Sequence, residues 1–293
     1  MKHQGALKWL IPAIGLLALF AAAMGLFYPD PGQSYEVTSF RGEQVTINGQ
    51  GLYSYDSLSS AAQQQGNDII TLAVGLPLLA VSGSLAFRGS LRGRLLLTGT
   101  LGFFLYTYLS MSMLTAYNPL FLVYVALFSL SLHAFVLCML SFDLAGLPGR
   151  FSNRLPRRWI AGLPLLVAAF LLVAWLGRIV PPLLSGTTPM LENTTTLVIQ
   201  ALDLGLVVPL AALAGVLLLR RSPWGYLLAS VAVLKFVTMG LAVSTMSVVM
   251  SLRGVPDSLG IMVPFGAITL VNLALAAALL RSVQPEPPGL DAG

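Results

Sequence analysis

Charge is what this chain most conspicuously lacks. Only 9% of its 293 residues are Asp, Glu, Lys or Arg, against 56% hydrophobic. Soluble domains carry about a quarter charged residues, so a water-exposed globular fold is excluded and a membrane class is indicated. Cysteine is almost absent too: Cys138 stands alone in an apolar run, which rules out an intramolecular disulfide and a thiolate metal centre. There are two histidines, and neither HExxH nor paired helix histidines occur. P-loop and GxSxG motifs are missing as well. RGSLRGR at 88–94 follows no strand, so it reads as a basic turn rather than a phosphate cradle. No segment between apolar runs is large enough for a nucleotide-binding or kinase domain. The expectation is therefore no cofactor and no metal.

What the chain has is long apolar runs. Eight of them, near 9–27, 69–87, 95–116, 119–141, 159–177, 196–219, 224–250 and 260–280, reach the length of about 20 residues that a bilayer span needs. The first follows a basic start and ends in AAAMG, like a signal peptide, but its apolar stretch is longer than the usual one. The net charge of +5 sits in short connections, without the basic stripe and interleaved aromatics that nucleic acid would require. Threaded with the N-terminus inside, one side collects Lys2, Lys8, Arg88, Arg92, Arg94, Arg150, Arg154, Arg157, Arg158, Arg220, Arg221 and Arg281, and the other only Arg41, Arg178 and Arg253. Twelve against three predicts both termini in the cytoplasm.

Residues 77–98 align without a gap on 209–230, an offset of 132, matching Pro77 with Pro209, Gly83 with Gly215, Arg88 with Arg220, Ser90 with Ser222 and Gly93 with Gly225. LKWLIP at 7–12 likewise resembles RRWIAG at 157–162. The fold class expected is all-α and polytopic: eight transmembrane helices as two parallel four-helix repeats. The halves are 1–141 and 158–281, joined by a basic linker over 142–157 and followed by a disordered cytoplasmic tail over 282–293. Four helices return the chain to its starting side, so the halves share one orientation, with an interface suited to a functional site. Residues 28–68 form a small extracytoplasmic cap, in which YEVTSF and QVTI flank RGE as a hairpin and the stretch after 51 closes with a helical turn or two.

Polar side chains inside the runs carry what functional signal there is. Lys235 lies eleven residues from Trp224 and fifteen from Met250, deep in a span, where an unpaired ammonium is costly. Asp203 sits about 10 Å nearer the outside by helical rise. A central layer of Tyr106, His133, Lys235 and Asn272 is expected, with Thr238 and Thr245 on the Lys235 face and Gln200 on the Asp203 face. These are the candidates for substrate binding or coupling, Asp203 being the first partner to test for Lys235. His133 reads first as a packed, hydrogen-bonded side chain rather than a ligand. Asp68, Asp143 and Arg178 read as interfacial groups, and Asn193-Thr-Thr matches a glycosylation sequon.

The eight-span layout is similar to that of haem A synthases, but their chemistry depends on helix histidines and only His133 lies within a span here. A mid-helix lysine resembles that of microbial rhodopsins, whose span count and tight aromatic retinal box are not reproduced. Three functions stay open. A secondary transporter or channel-like protein stands first, ahead of an assembly, accessory or sensory protein in which Lys235 bridges structurally. A membrane-embedded enzyme using His133, Tyr106 and Lys235 as acid–base groups comes third. The partners expected are the lipid bilayer of a prokaryotic plasma membrane, a small polar or anionic solute and a membrane-protein partner, with no nucleic acid.

Overall fold

The computed structural model describes residues 2–256 and 258–284. Eight helices long and apolar enough to cross a membrane make up most of it: α1 Gln4–Phe27, α2 Leu58–Phe87, α3 Leu91–Leu114, α4 Phe121–Leu140, α5 Arg157–Ser185, α6 Val198–Leu219, α7 Pro223–Leu252 and α8 Ser258–Ser282. This is the architecture of a multi-pass membrane protein. Between α1 and α2, strands β1 Tyr35–Thr38 and β2 Gln44–Ile47 pair antiparallel around the turn at Thr38–Gln44, as the alternating sequence there predicts.

Two boundaries differ from the sequence expectation. The second helix begins at Leu58 rather than 69, because Ser57 caps it by accepting the Ser60 N–H and the polar run SSAAQQQGND continues the helix against α7 instead of leaving it. The fifth runs to Ser185, past Pro181 and Pro182, before Gly186 closes it in the left-handed region at φ 68°. The expected tail over 282–293 lies largely outside the described residues. Its start is held: Val283 bridges Phe151, the Gln284 N–H bonds the Arg150 carbonyl, and the Arg92 guanidinium bonds the Val283 carbonyl at 2.7 Å.

Two helices carry π-helical turns, Thr71–Gly75 in α2 and Asp203–Val207 in α6. Each precedes a proline, Pro77 or Pro209, whose ring would clash with the carbonyl four residues back, Ala73 or Gly205, in a regular helix. Widening the turn relieves that clash. The two π turns stand 132 residues apart, 203 less 71. The turns that follow also agree: Arg88 N–H bonds Ser84, Gly89 bonds Ala86 and Ser90 bonds Leu85, while Arg220 bonds Val216, Arg221 bonds Leu218 and Ser222 bonds Leu217. Gly89 takes φ 87°, and Arg221, the residue 132 further on, takes φ 58°, a conformation that costs a side-chain-bearing residue more.

Helix α7 is wedged against α2 and α3. A β-carbon on Gly66 of α2 would stand 2.6 Å from Met246 Cα, and one on Gly99 of α3 would stand 2.6 Å from Leu234 Cβ. Bare glycines therefore bring these backbones together, the device that packs membrane helices where no hydrophobic force separates them from lipid. One buried cluster fills the space among α1–α4, including Phe103, Phe104, Tyr108 and Tyr124. A second, including Leu95, Phe142, Phe151, Ile160, Leu218 and Leu227, gathers at the ends of α3 and α5–α8 remote from the hairpin. These two ends are the hairpin face and the basic face of the molecule.

Candidate functional site

A cavity of about 500 Å³ descends from the hairpin face between α2 and α3 on one side and α5–α8 on the other. Its mouth is polar, with Gln63, Gln64, Asn67, Glu192 and Gln200, and its deeper walls are apolar and aromatic, with Phe170, Phe236, Met239 and Phe265. The hairpin segment reaches over to the 190–196 connection beside this mouth. Arg41 donates to the carbonyls of Thr194 at 3.1 Å and Thr195 at 3.0 Å, Asn193 donates to the Tyr55 carbonyl at 3.0 Å, and the Ser57 hydroxyl bonds Glu192. Below Lys235 the packed cluster of Leu95, Leu227 and Phe142 closes the way to the basic face.

At depth the cavity is lined by Tyr106, Trp175, Asp203 and Lys235. The chain positions Lys235 through α3: Gly99 and Gly102 share a face with Tyr106, and the Lys235 stem lies along Gly102, whose β-carbon would meet Cγ and Cδ at 3.7 Å. The ammonium then rests 4.3 Å from the centre of the Tyr106 ring. The other end of that ring carries the link to α6. The Tyr106 hydroxyl donates to Asp203 Oδ1 at 2.6 Å, and the Trp175 indole N–H donates to Oδ2 at 2.8 Å. Among the described residues Lys235 makes no ion pair and no side-chain hydrogen bond. Asp203 lies within its electrostatic reach but beyond bonding distance, with the tyrosine interposed.

The arrangement has a clear chemical capability. The Asp203 carboxylate is held by two donors and keeps its orientation whether or not the cavity is filled. The Lys235 ammonium has an aromatic face behind it and its donors free toward the cavity, so it can accept an anionic or strongly hydrogen-bond-accepting group. Among the described residues no cluster of three or more His, Cys, Asp or Glu side chains gathers to hold a metal ion.

The other sequence candidates divide. Gln200 is buried on the cavity wall nearer the mouth. Thr238 is fully buried, but its hydroxyl bonds its own helix at the Lys235 carbonyl, 2.9 Å away, and it does not line the cavity. Asn272 is buried with both amide atoms unbonded, likewise off the cavity wall. His133 is exposed on α4 with Nδ1 2.7 Å from the Ser129 carbonyl of the preceding turn, so it does not join Lys235 in a central layer. The face assignment from helix ends fails there because depth along a helix says nothing about direction around it.

Sequence reasoning missed Trp175, whose indole N–H donates to Asp203. It also misread Asp68. That carboxylate is 2% exposed, not interfacial, and accepts the Tyr53 hydroxyl at 2.6 Å. The hairpin segment's Asp56 is buried as well. It accepts the Ala116 N–H at 3.1 Å and the Ser60 hydroxyl at 3.2 Å, and burial outweighs these bonds to push its carboxyl up to about 6.

No family model, curated protein or solved structure matches this chain.

Proposed function

We propose that this is a secondary transporter or channel-like protein that takes a small anionic solute from the hairpin side to a mid-membrane site at Lys235. The observation that carries the reading is an ammonium without a protein acceptor, facing a cavity that opens at one face and is blocked by packed side chains toward the other. A purely structural lysine would be expected in a packed bundle, bonded to its counter-charge. An occluded route on one side of a central site is what alternating access requires. In this reading Lys235 attracts the anion, Tyr106 orients both charges, and Asp203 tunes the ammonium or gates the site.

The same proposal takes the molecule as two parallel four-helix halves related about the membrane normal. The 132-residue repetition of the π turn with its following proline, of the positive φ and of the three turn hydrogen bonds supports it in backbone geometry as well as in sequence. The twelve-to-three basic bias supports cytoplasmic termini, with the hairpin segment as an extracytoplasmic cap.

The test is binding by the purified protein, followed by flux in proteoliposomes, across a panel of small carboxylates, phosphates and sulfonates. At least one anion should raise the melting temperature and exchange across the membrane, and Lys235→Met should abolish both effects. A panel in which no anion binds, or in which Lys235→Met binds anions as well as the wild type, would overturn the reading.

A further inference from the structure

The first half buries a second polar centre that the Lys235 cavity does not use. Asp68 of α2 sits three residues before the start of the π turn at Thr71, with the Tyr53 hydroxyl of the hairpin segment bonded to Oδ2 at 2.6 Å. Gly25 of α1 packs so closely that a β-carbon there would overlap both the carboxylate and the Tyr53 hydroxyl. Tyr108 of α3 and Tyr124 of α4, rings stacked with centroids 6.4 Å apart, bring two more hydroxyls within electrostatic range of Asp68. Both are 1% exposed. The Tyr108 hydroxyl is unbonded, and the Tyr124 hydroxyl, close to Tyr53 and Asn118, completes no hydrogen bond of good geometry. Thr71, one turn beyond Asp68, is fully buried with its hydroxyl unbonded too.

Three buried hydroxyls without a completed hydrogen bond, on residues of or next to this centre, are an unusual deficit, since nearly every such group in a folded protein finds a partner. It is also a deficit of one kind. The Asp68 carboxylate and the hydroxyls of Tyr53, Tyr108, Tyr124 and Thr71 each offer an oxygen lone pair, and among the described residues no basic side chain lies within ion-pairing distance of Asp68. Burial pushes the Tyr53 phenol well up, so it stays neutral and donates to Asp68 while keeping a lone pair free. A lone carboxylate at this depth needs one positive charge, and hard oxygen donors select a hard cation. One carboxylate balances a single charge, which disfavours a divalent ion, and the close approach of Gly25 favours a small one.

We propose that Asp68, with the hydroxyls of Tyr53, Tyr108, Tyr124 and Thr71, forms a binding site for a small monovalent cation of sodium size. The site ties α2, α3, α4 and the hairpin segment together through one ion, with α1 packed against it at Gly25. It stands apart from the Lys235 cavity and does not depend on the solute reading of that cavity.

The test uses the full chain in lipid nanodiscs, with thermal unfolding followed at constant ionic strength while choline chloride is replaced by sodium or potassium chloride at pH 8. Sodium should raise the midpoint saturably and potassium should do so less. Asp68→Asn should remove the sodium response and melt in choline at or above the wild-type value, because an uncompensated charge has gone. Tyr108→Phe should keep the response but move its half-maximal sodium concentration up by about tenfold, the loss of one oxygen ligand. Should Asp68→Asn not fold, equilibrium binding of radioactive sodium to the wild type, competed by unlabelled sodium and not by choline, together with the Tyr108→Phe shift, decides the matter. Superimposed sodium and choline curves would overturn the proposal and leave only water among these hydroxyls. A sodium response surviving in Asp68→Asn would overturn it too, as would stabilisation by acid alone, which would identify a bound proton instead.

Discussion

Replacing Lys235 by Met separates a ligand-binding lysine from a structural one, because methionine keeps an unbranched stem that can lie along Gly102 while the charge disappears. The loss is the ammonium–ring contact with Tyr106 at 4.3 Å, worth roughly 1–2 kcal/mol when desolvated. The gain is removal of a mid-helix charge, about 2.5–3.5 kcal/mol on insertion scales at the centre of a span, discounted because the ammonium lines a cavity. Asp203 is not abandoned, since Tyr106 and Trp175 still donate to it at 2.6 and 2.8 Å. The balance is neutral to about 2 kcal/mol stabilising, so differential scanning fluorimetry in detergent should show an unchanged midpoint or a rise of a few degrees. A fall of several degrees that Asp203→Asn largely restores would refute the reasoning. It would mean that Lys235 and Asp203 form a structural bridge after all.

Three further outcomes follow from the hairpin side of the molecule. Asp56 has its folded-state pKa raised to about 6, so its burial is unopposed below the ordinary value of 3.8 and stability is lost as pH rises between them. That loss is at most about 3 kcal/mol. Asp56→Asn retains an acceptor for Ala116 and should therefore melt higher than the wild type at pH 8, with the difference vanishing near pH 4. Gly25→Ala should be disproportionately damaging for so small a change, lowering the midpoint and exposing the hairpin to protease, because its methyl overlaps the Asp68 carboxylate and the Tyr53 hydroxyl. A wild-type midpoint would mean that α1 does not pack there. Single cysteines at Ser54 and Ser152 should label from opposite sides of the membrane against a silent background, since native Cys138 is buried, whereas same-sided labelling would deny the span order.

Span number, the hairpin and the mid-helix position of Lys235 were legible in the sequence because each depends on a one-dimensional pattern: apolar run length, alternation, and distance from helix ends. Side-chain direction was not. Tyr106 and Asp203 were both singled out, yet their bond depends on how α3 and α6 are rotated, and the wide π turn beginning at Asp203 shifts the helical phase that a regular period assumes. His133 failed for the same reason, since it is exposed on α4 rather than turned toward α7. Asp68 was read from its place at the end of a polar stretch, but that stretch is helix, and the helix carries it under Tyr53. The prolines at 77 and 209 were visible as a repeat, while the π turns they accompany had no sequence signature beyond them.

The central claim is a route from the hairpin face that ends at Lys235, and thiol accessibility tests it most directly. On the Cys138→Ser background, cysteines at Ser247, Met239 and Leu227 sample the upper cavity, the level just above Lys235 and the packed cluster beneath it. A small, charged, membrane-impermeant methanethiosulfonate applied to the hairpin side should modify Ser247→Cys and Met239→Cys and leave Leu227→Cys untouched, and reagent on the basic side should reach none of them. Modification of Met239→Cys from the basic side, or its protection from both sides while Ser247→Cys reacts, would contradict the account.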